Sequence, residues 1–134
     1  MATVFTKIIN GELPCHKIAE TVDFIAFLDI SPLAKGHTLV IPKKEIDYIF
    51  NMEDDLYKGL FLFAKSISKA IEKAVECKRI GIAVIGLEVP HVHIHLIPIN
   101  NIGDINFSWE KLKLSEQELS ETARKIQLVY SSEN

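Results

Sequence analysis

Three histidines on alternate positions of one short apolar run constrain this chain more than any other feature: His91-Val92-His93-Ile94-His95-Leu96-Ile97-Pro98. In extended backbone, successive side chains point to opposite faces, so the three imidazoles share one face and Val92, Ile94 and Leu96 share the other. The apolar side meets a core, and the histidine row looks into a cleft or into solvent. A lone histidine there would be an ordinary residue of a wet sheet face. Three in strict alternation make that bland reading the weakest of those available.

The run sits in a chain of 134 residues, long enough for one domain spanning 1–134 whose core needs neither disulfides nor metal. A hydrophobic share of 48% and a charged share of 25% match a globular protein rather than a disordered one. The formal net charge of −3 lacks the basic character that gripping duplex nucleic acid demands, though a small nucleotide remains open. Cys15 and Cys77 are far apart, which argues against a disulfide framework and a redox motif. Residues 1–7 show no leader pattern, and no apolar stretch reaches membrane-span length, so a cytoplasmic protein without a membrane partner is expected.

Asn10-Gly11-Glu12-Leu13-Pro14 punctuates the chain after a short amphipathic opening segment. Residues 21–29 read as a strand, Ser31 to Gly36 as a turn, and His37 to Ile41 as a second strand, paired antiparallel because the connection is short. Between Met52 and Glu76, apolar Leu56, Leu60, Phe63, Ile67, Ile71 and Ala74 recur every three or four residues, predicting a long amphipathic helix with Asn51 as its N-cap. Lys58, Lys65, Lys69, Glu72 and Lys73 form its solvated face. Ile80 to Ile85 and His91 to Ile97 read as two more strands, and Ser115-Glu116-Gln117-Glu118 as a capping box opening a C-terminal helix. Trp109 reads as a packing residue. The order predicts an α+β fold with an antiparallel sheet.

Two chemistries suit the histidine row. Imidazole is a common zinc ligand, but same-face positions on a strand lie about 7 Å apart, so a metal site needs a ligand from elsewhere, with His37, Glu88 and Asp104 as candidates. Alternatively, a neutral imidazole attacks phosphorus and forms a phosphorus–nitrogen bond that water later cleaves. Its neighbours then donate hydrogen bonds to phosphoryl oxygens and help protonate a leaving group. The residues alone leave both open.

His91-Val92-His93-Ile94-His95-Leu96-Ile97 resembles the His-φ-His-φ-His-φ-φ signature (φ apolar) of the histidine triad, or HIT, superfamily, and Glu88-Val89-Pro90 before it is similar to bacterial members. Residues 4–14 resemble the opening segment of that family. Residues 27–32 and 36–43 resemble its central hairpin. The likeness covers a core of about residues 3–100, leaving a C-terminal helical extension of about 103–134. It implies the HIT fold, with an antiparallel sheet of about five strands, one long helix and a C-terminal helix, in a homodimer that binds a purine nucleotide or nucleotide conjugate. By position, His93 is then the nucleophile at the α-phosphate, His95 contacts the phosphate, the main-chain carbonyl of His91 orients the nucleophile, and His37 lies nearby. Asp29 is implied as the ribose reader, and Phe5, Ile8, Leu13, Phe27, Leu28 and Ile30 as the apolar slot for the base.

The chain also departs from that pattern. Many members carry an asparagine and a Gly-Gln pair before the triad; here residues 81–88 are shorter and Leu87 stands at the glutamine position. Glu88 stands where Hint-like members have serine, close enough to phosphate to repel it or shuttle a proton. Thr3 and Thr6 stand where zinc-binding relatives have a Cys-x-x-Cys pair, so structural zinc and other cofactors are not expected. His95 at the third triad position favours water as acceptor. The expected activity is hydrolysis of nucleoside phosphoramidates or dinucleoside polyphosphates at the α-phosphate through a covalent nucleotidyl-histidine. The alternative is a nucleotide-binding regulatory dimer with weak or no turnover.

Overall fold

Alternation of apolar side chains on both faces of the strands requires cover on both sides of the sheet, and the chain supplies it unequally. The computed structural model describes residues 3–134. A short helix α1 (Val4–Ile9) precedes strands β1 (Lys17–Glu20), β2 (Phe24–Leu28) and β3 (Thr38–Pro42). A 3-10 turn (Ile49–Asn51) leads into the long helix α2 (Asp54–Ala74), followed by β4 (Arg79–Ala83), β5 (Ile94–Ile99), a second 3-10 turn (Ile102–Asp104) and α3 (Glu116–Glu133). The five strands form one antiparallel sheet in the order β1-β2-β3-β5-β4. This is the α+β architecture expected, with both expected helices.

Period-two parity assigns every strand residue to a face. Phe24, Ala26 and Leu28 of β2, Val40 of β3, and Ile94 and Leu96 of β5 pack against Leu60, Phe63, Ile67 and Ile71 of α2 and Leu119, Ala123 and Ile126 of α3. Ile25, Phe27, Leu39 and Ile41 face the other way and pack with Phe5 of α1. Helix α2 forms because its apolar residues recur at helical spacing, with Asp54 and Asp55 complementing its positive start. Helix α3 opens on the expected box, in which Ser115 Oγ accepts from the Glu118 amide at 3.1 Å and the Glu118 carboxylate accepts from the Ser115 amide at 3.2 Å.

Several boundaries differ from expectation. Asn51 closes the 3-10 turn instead of capping α2, whose N-cap is Glu53 without a side-chain bond. Residues 21–23 make a tight turn, with the Phe24 amide bonded to Thr21 Oγ1, so β2 starts at Phe24. β1 was not anticipated, because only Ile18 of its four residues is buried and its ends are charged. The row of histidines also breaks: β5 begins at Ile94, its partners on β3 and β4 running out at Val40 and Ala83. His95 therefore lies in the strand, while His91 and His93 lie in the extended segment entering it. Among the described residues no helix is long and apolar enough to cross a membrane.

Candidate functional site

The site builds up from the entry to β5. All three triad rings are buried, His91 at 0%, His93 at 7% and His95 at 8% exposure, so the row faces a cleft rather than open solvent, and Val92 joins Ile94 and Leu96 in the helix-side core. Buried imidazoles must find hydrogen-bond partners, and those partners settle which nitrogen of each carries hydrogen.

His91 lies deepest. Its Nε2 is 2.8 Å from the Pro42 carbonyl, which can only accept, so Nε2 bears the hydrogen and Nδ1, 3.2 Å from Thr3 Oγ1, accepts the threonine hydroxyl. Burial lowers its proton affinity, against the Pro42 carbonyl and Glu45, which raise it. Thr3 is also the N-cap of α1, its Oγ1 accepting from the Thr6 amide, and the Thr6 hydroxyl donates to Glu45 Oε1 at 2.7 Å. The N-cap of α1 thus clasps the first triad histidine.

His93 donates from Nδ1 to the His91 carbonyl at 2.7 Å. In the neutral ring this leaves Nε2 with a free electron pair. The Phe5 ring packs edge-on against it at 5.0 Å between centroids, giving the imidazole an apolar neighbour on one side.

The tautomer of His95 is set from further away. The Leu33 amide donates to His37 Nδ1 at 3.0 Å, so His37 Nε2 carries the hydrogen and donates to His95 Nδ1 at 3.0 Å. His95 is left with a hydrogen on Nε2. Burial pushes His37 down to about 3, helped by His95, Lys111 and His93, and pushes His95 down to about 4, helped by His93, so both rings are neutral at pH 7. Gly36 makes this loop possible: at φ +91 it turns the chain into β3 in a conformation that side-chain-bearing residues rarely adopt.

Asp29 follows β2. Its Oδ1 accepts from the Ser31 amide at 2.9 Å, and its Oδ2 lies 3.6 Å from His37 Nε2, a contact with a neutral ring rather than an ion pair. Burial raises its carboxyl above the ordinary value, while the Ser31 amide, His93 and Lys111 pull the other way. The potential ligand atoms of Asp29, His37 and His95 lie within 4.8 Å of one another, near enough to crowd a cation. The hydrogen bonds do not suit a ligand set, because the proton that Leu33 imposes on His37 Nε2 leaves no electron pair facing the other two. Asp104 is engaged elsewhere, accepting from the Asn100 and Asn101 amides at 2.7 and 2.9 Å.

A cavity of about 620 Å³ opens over these groups, within the range of small-ligand sites. His93, His95, His37 and Asp29 line it together with Phe5 and Leu39, and the loop Ile85 to Val89, including Glu88, forms one rim. The other expected slot residues lie outside its lining. Phe27 is buried beneath Phe5, Ile8 packs beside them, and Leu13 and Ile30 are exposed. Leu28 corrects the expectation most clearly: parity turns it to the helix side of the sheet, away from His93.

Sequence reasoning missed the opposite rim, Phe107 and Lys111, which come from the segment between the second 3-10 turn and α3. The Phe107 ring lies 4.7 Å from that of His95 and 6.4 Å from that of His37. Lys111 Nζ donates to the Phe107 and Trp109 carbonyls at 2.6 and 3.0 Å. Trp109 itself, expected to pack, is 52% exposed. The segment has no periodicity that would have announced it.

Comparison with known proteins gives the family of the chain. Residues 10–102 match the model of the HIT domain. The chain is 34% identical over 129 residues to an adenosine 5'-monophosphoramidase of Schizosaccharomyces pombe, covering 94% of this chain and 96% of that one. It is 36% identical over 133 residues to a HIT-like protein of Borreliella burgdorferi, covering 93% and 96%. Among solved structures, a Hit-like protein from Bartonella henselae superposes with a TM-score of 0.82 at 30% identity, covering 95% of each chain.

Proposed function

Because the chain belongs to the HIT family, we propose that it hydrolyses nucleoside phosphoramidates or dinucleoside polyphosphates at the α-phosphate, through a nucleotidyl group carried on His93. The observation that carries this reading is the 2.7 Å bond from His93 Nδ1 to the His91 carbonyl, which frees Nε2 to attack. The Nε2 electron pair forms a bond to the α-phosphorus. The bond from phosphorus to the leaving nitrogen or oxygen breaks, and the leaving group departs with its electron pair. His95, neutral with hydrogen on Nε2, donates a hydrogen bond to the charge developing on a phosphoryl oxygen. His37 and His95 are neutral and hold no imidazolium proton to give, so an amine leaving group departs with a proton already carried on its nitrogen or supplied by solvent hydronium. Water then attacks phosphorus and sheds a proton to solvent, the phosphorus–nitrogen bond returns its pair to His93, and the nucleoside monophosphate leaves. Asp29 reads the ribose hydroxyls, and Phe5 and Leu39 give the base an apolar surface.

The proposal includes a homodimer in the cytoplasm. A second copy is favoured by edge strand β4, where Ile82 is 52% exposed beside a groove shared with Phe61, Ala64 and Ile80. The free thiols Cys15 and Cys77 suit a reducing compartment.

The test is rapid-quench intact-mass analysis during turnover of adenosine phosphoramidate and a dinucleoside polyphosphate. Turnover with a nucleotidyl adduct that vanishes in His93→Ala is the expected result. Undiminished hydrolysis by His93→Ala overturns the covalent step. The second reading, a nucleotide-binding regulator, is favoured by Leu87, which is 89% exposed at the rim and offers no hydrogen bond. AMP binding without turnover of either substrate would establish it.

A further inference from the structure

The charges lining the cavity do not suit a phosphorylated ligand until the segment beyond the family-matched residues 10–102 is counted. Asp29 and Glu88 are carboxylates on its walls, and His37 and His95 are neutral at pH 7. A phosphoryl group adds at least one more negative charge. Among the described residues that line the cavity, Lys111 alone bears a permanent positive charge. Its field is felt by the groups that would surround the ligand, opposing both the raised proton affinity of Asp29 and the protonation of His37.

The ammonium is also held in place. Of its three N–H bonds, two are taken by the Phe107 and Trp109 carbonyls, leaving one to offer. The Phe107 ring leans on His95, so the wall that carries the lysine is anchored to the ring implied in phosphate contact. The opposite end of the segment is seated across the sheet edge, where Gly81 lacks the Cβ that would collide with the Ile105 side chain.

We propose that Lys111 is the specificity-determining anion contact of this site, donating a charge-assisted hydrogen bond to the phosphoryl oxygens of a bound nucleotide. The segment 105–111 is thus a functional wall and not merely a connection to α3. This inference rests on the nucleotide reading given above.

The experiment compares AMP with adenosine by calorimetric titration of the full chain as wild type, Lys111→Gln and Lys111→Arg. Glutamine keeps N–H donors for the two carbonyls and removes the charge. Lys111→Gln is expected to weaken AMP binding roughly tenfold or more while leaving adenosine within about twofold, and Lys111→Arg to restore most of the AMP affinity. Raising salt should shrink the AMP difference between wild type and Lys111→Gln. Equal weakening of both ligands would assign Lys111 to holding the wall and overturn the proposal. So would unchanged AMP binding in Lys111→Gln. If the wild type binds neither ligand, the nucleotide reading fails and takes this inference with it.

Discussion

On the helix side of the sheet, Ala26, Val40, Ile94 and Leu96 meet Leu60, Ile67 and Ile71 through apolar contact alone. On the other side, Phe5, Phe27 and Leu39 lie beside buried imidazoles whose every orientation is tied to a named donor or acceptor. The strands are common to both faces. What differs is the kind of specification: the first face asks for volume, the second for a fixed pattern of hydrogens and electron pairs. Substitutions should therefore separate into those that alter stability and those that alter chemistry.

The largest expected effect is on the second face. His93→Ala should lower kcat/KM by about 10⁴-fold or more while leaving the folded structure in place, since the change removes the proposed attacking atom and leaves the helix-side core untouched. Steady-state kinetics with circular dichroism checks both halves, and activity within tenfold of wild type would erase the contrast. Next comes its mirror on the helix side. Ile67, fully buried, should cost about 2–5 kcal/mol when cut to alanine, measured by urea unfolding, with kcat/KM of the folded protein nearly unchanged.

Acid should act through the imidazoles. His37 and His95 titrate at about 3 and about 4 in the folded protein against about 6.5 when unfolded, so between those values the unfolded chain binds more protons. Stability is then complete above about pH 6.5 and falls as the pH drops toward 4, by on the order of 1 kcal/mol per pH unit for each ring. Asp29, raised by burial, takes up its proton early in the folded state and offsets part of the loss at the acid end. Chemical denaturation from pH 8 to 4.5 reads the slope; a flat profile would mean the rings are not held neutral.

The smallest effects come from a matched pair of helix caps. Thr3 and Ser115 both open capping boxes, and losing either hydroxyl should cost about 1 kcal/mol. Only Thr3 also bonds His91, so Thr3→Val should lower kcat roughly tenfold, with recovery in Thr3→Ser, whereas Ser115→Ala should leave kcat unchanged. Equal kinetic effects would show that the clasp on His91 does not reach the chemistry.

Much of the scaffold was legible in the residue pattern. The apolar period of α2, the box at Ser115 and the short turn joining β2 to β3 are local signals, and each led to its element. β1 was not legible, because a four-residue edge strand with one buried side chain carries almost no alternation. In the site, Asp29, His37, His93 and His95 were named from motif resemblance and do meet at one cavity. Leu28 was misplaced by treating neighbours Phe27 and Leu28 as one slot when parity sends them to opposite faces. Phe107 and Lys111 had no signal, since an aperiodic segment reaches its place only by docking against groups distant in sequence.

By itself, the sequence determined the local geometry: which stretches extend, which coil, and that alternating histidines turn away from the core. Backbone stereochemistry couples residues two to four apart, so that information is written in spacing. Whereas His93 and His37 take their orientation from partners two and four residues away, the tertiary structure alone decided which nitrogen carries hydrogen in His91 and His95. Those choices depend on Thr3 meeting His91 across 88 positions, on the Pro42 carbonyl across 49, and on His37 meeting His95 across 58. In His91 and His95 the tautomer is selected by the donor or acceptor that the fold brings from afar, and no spacing within one strand records that.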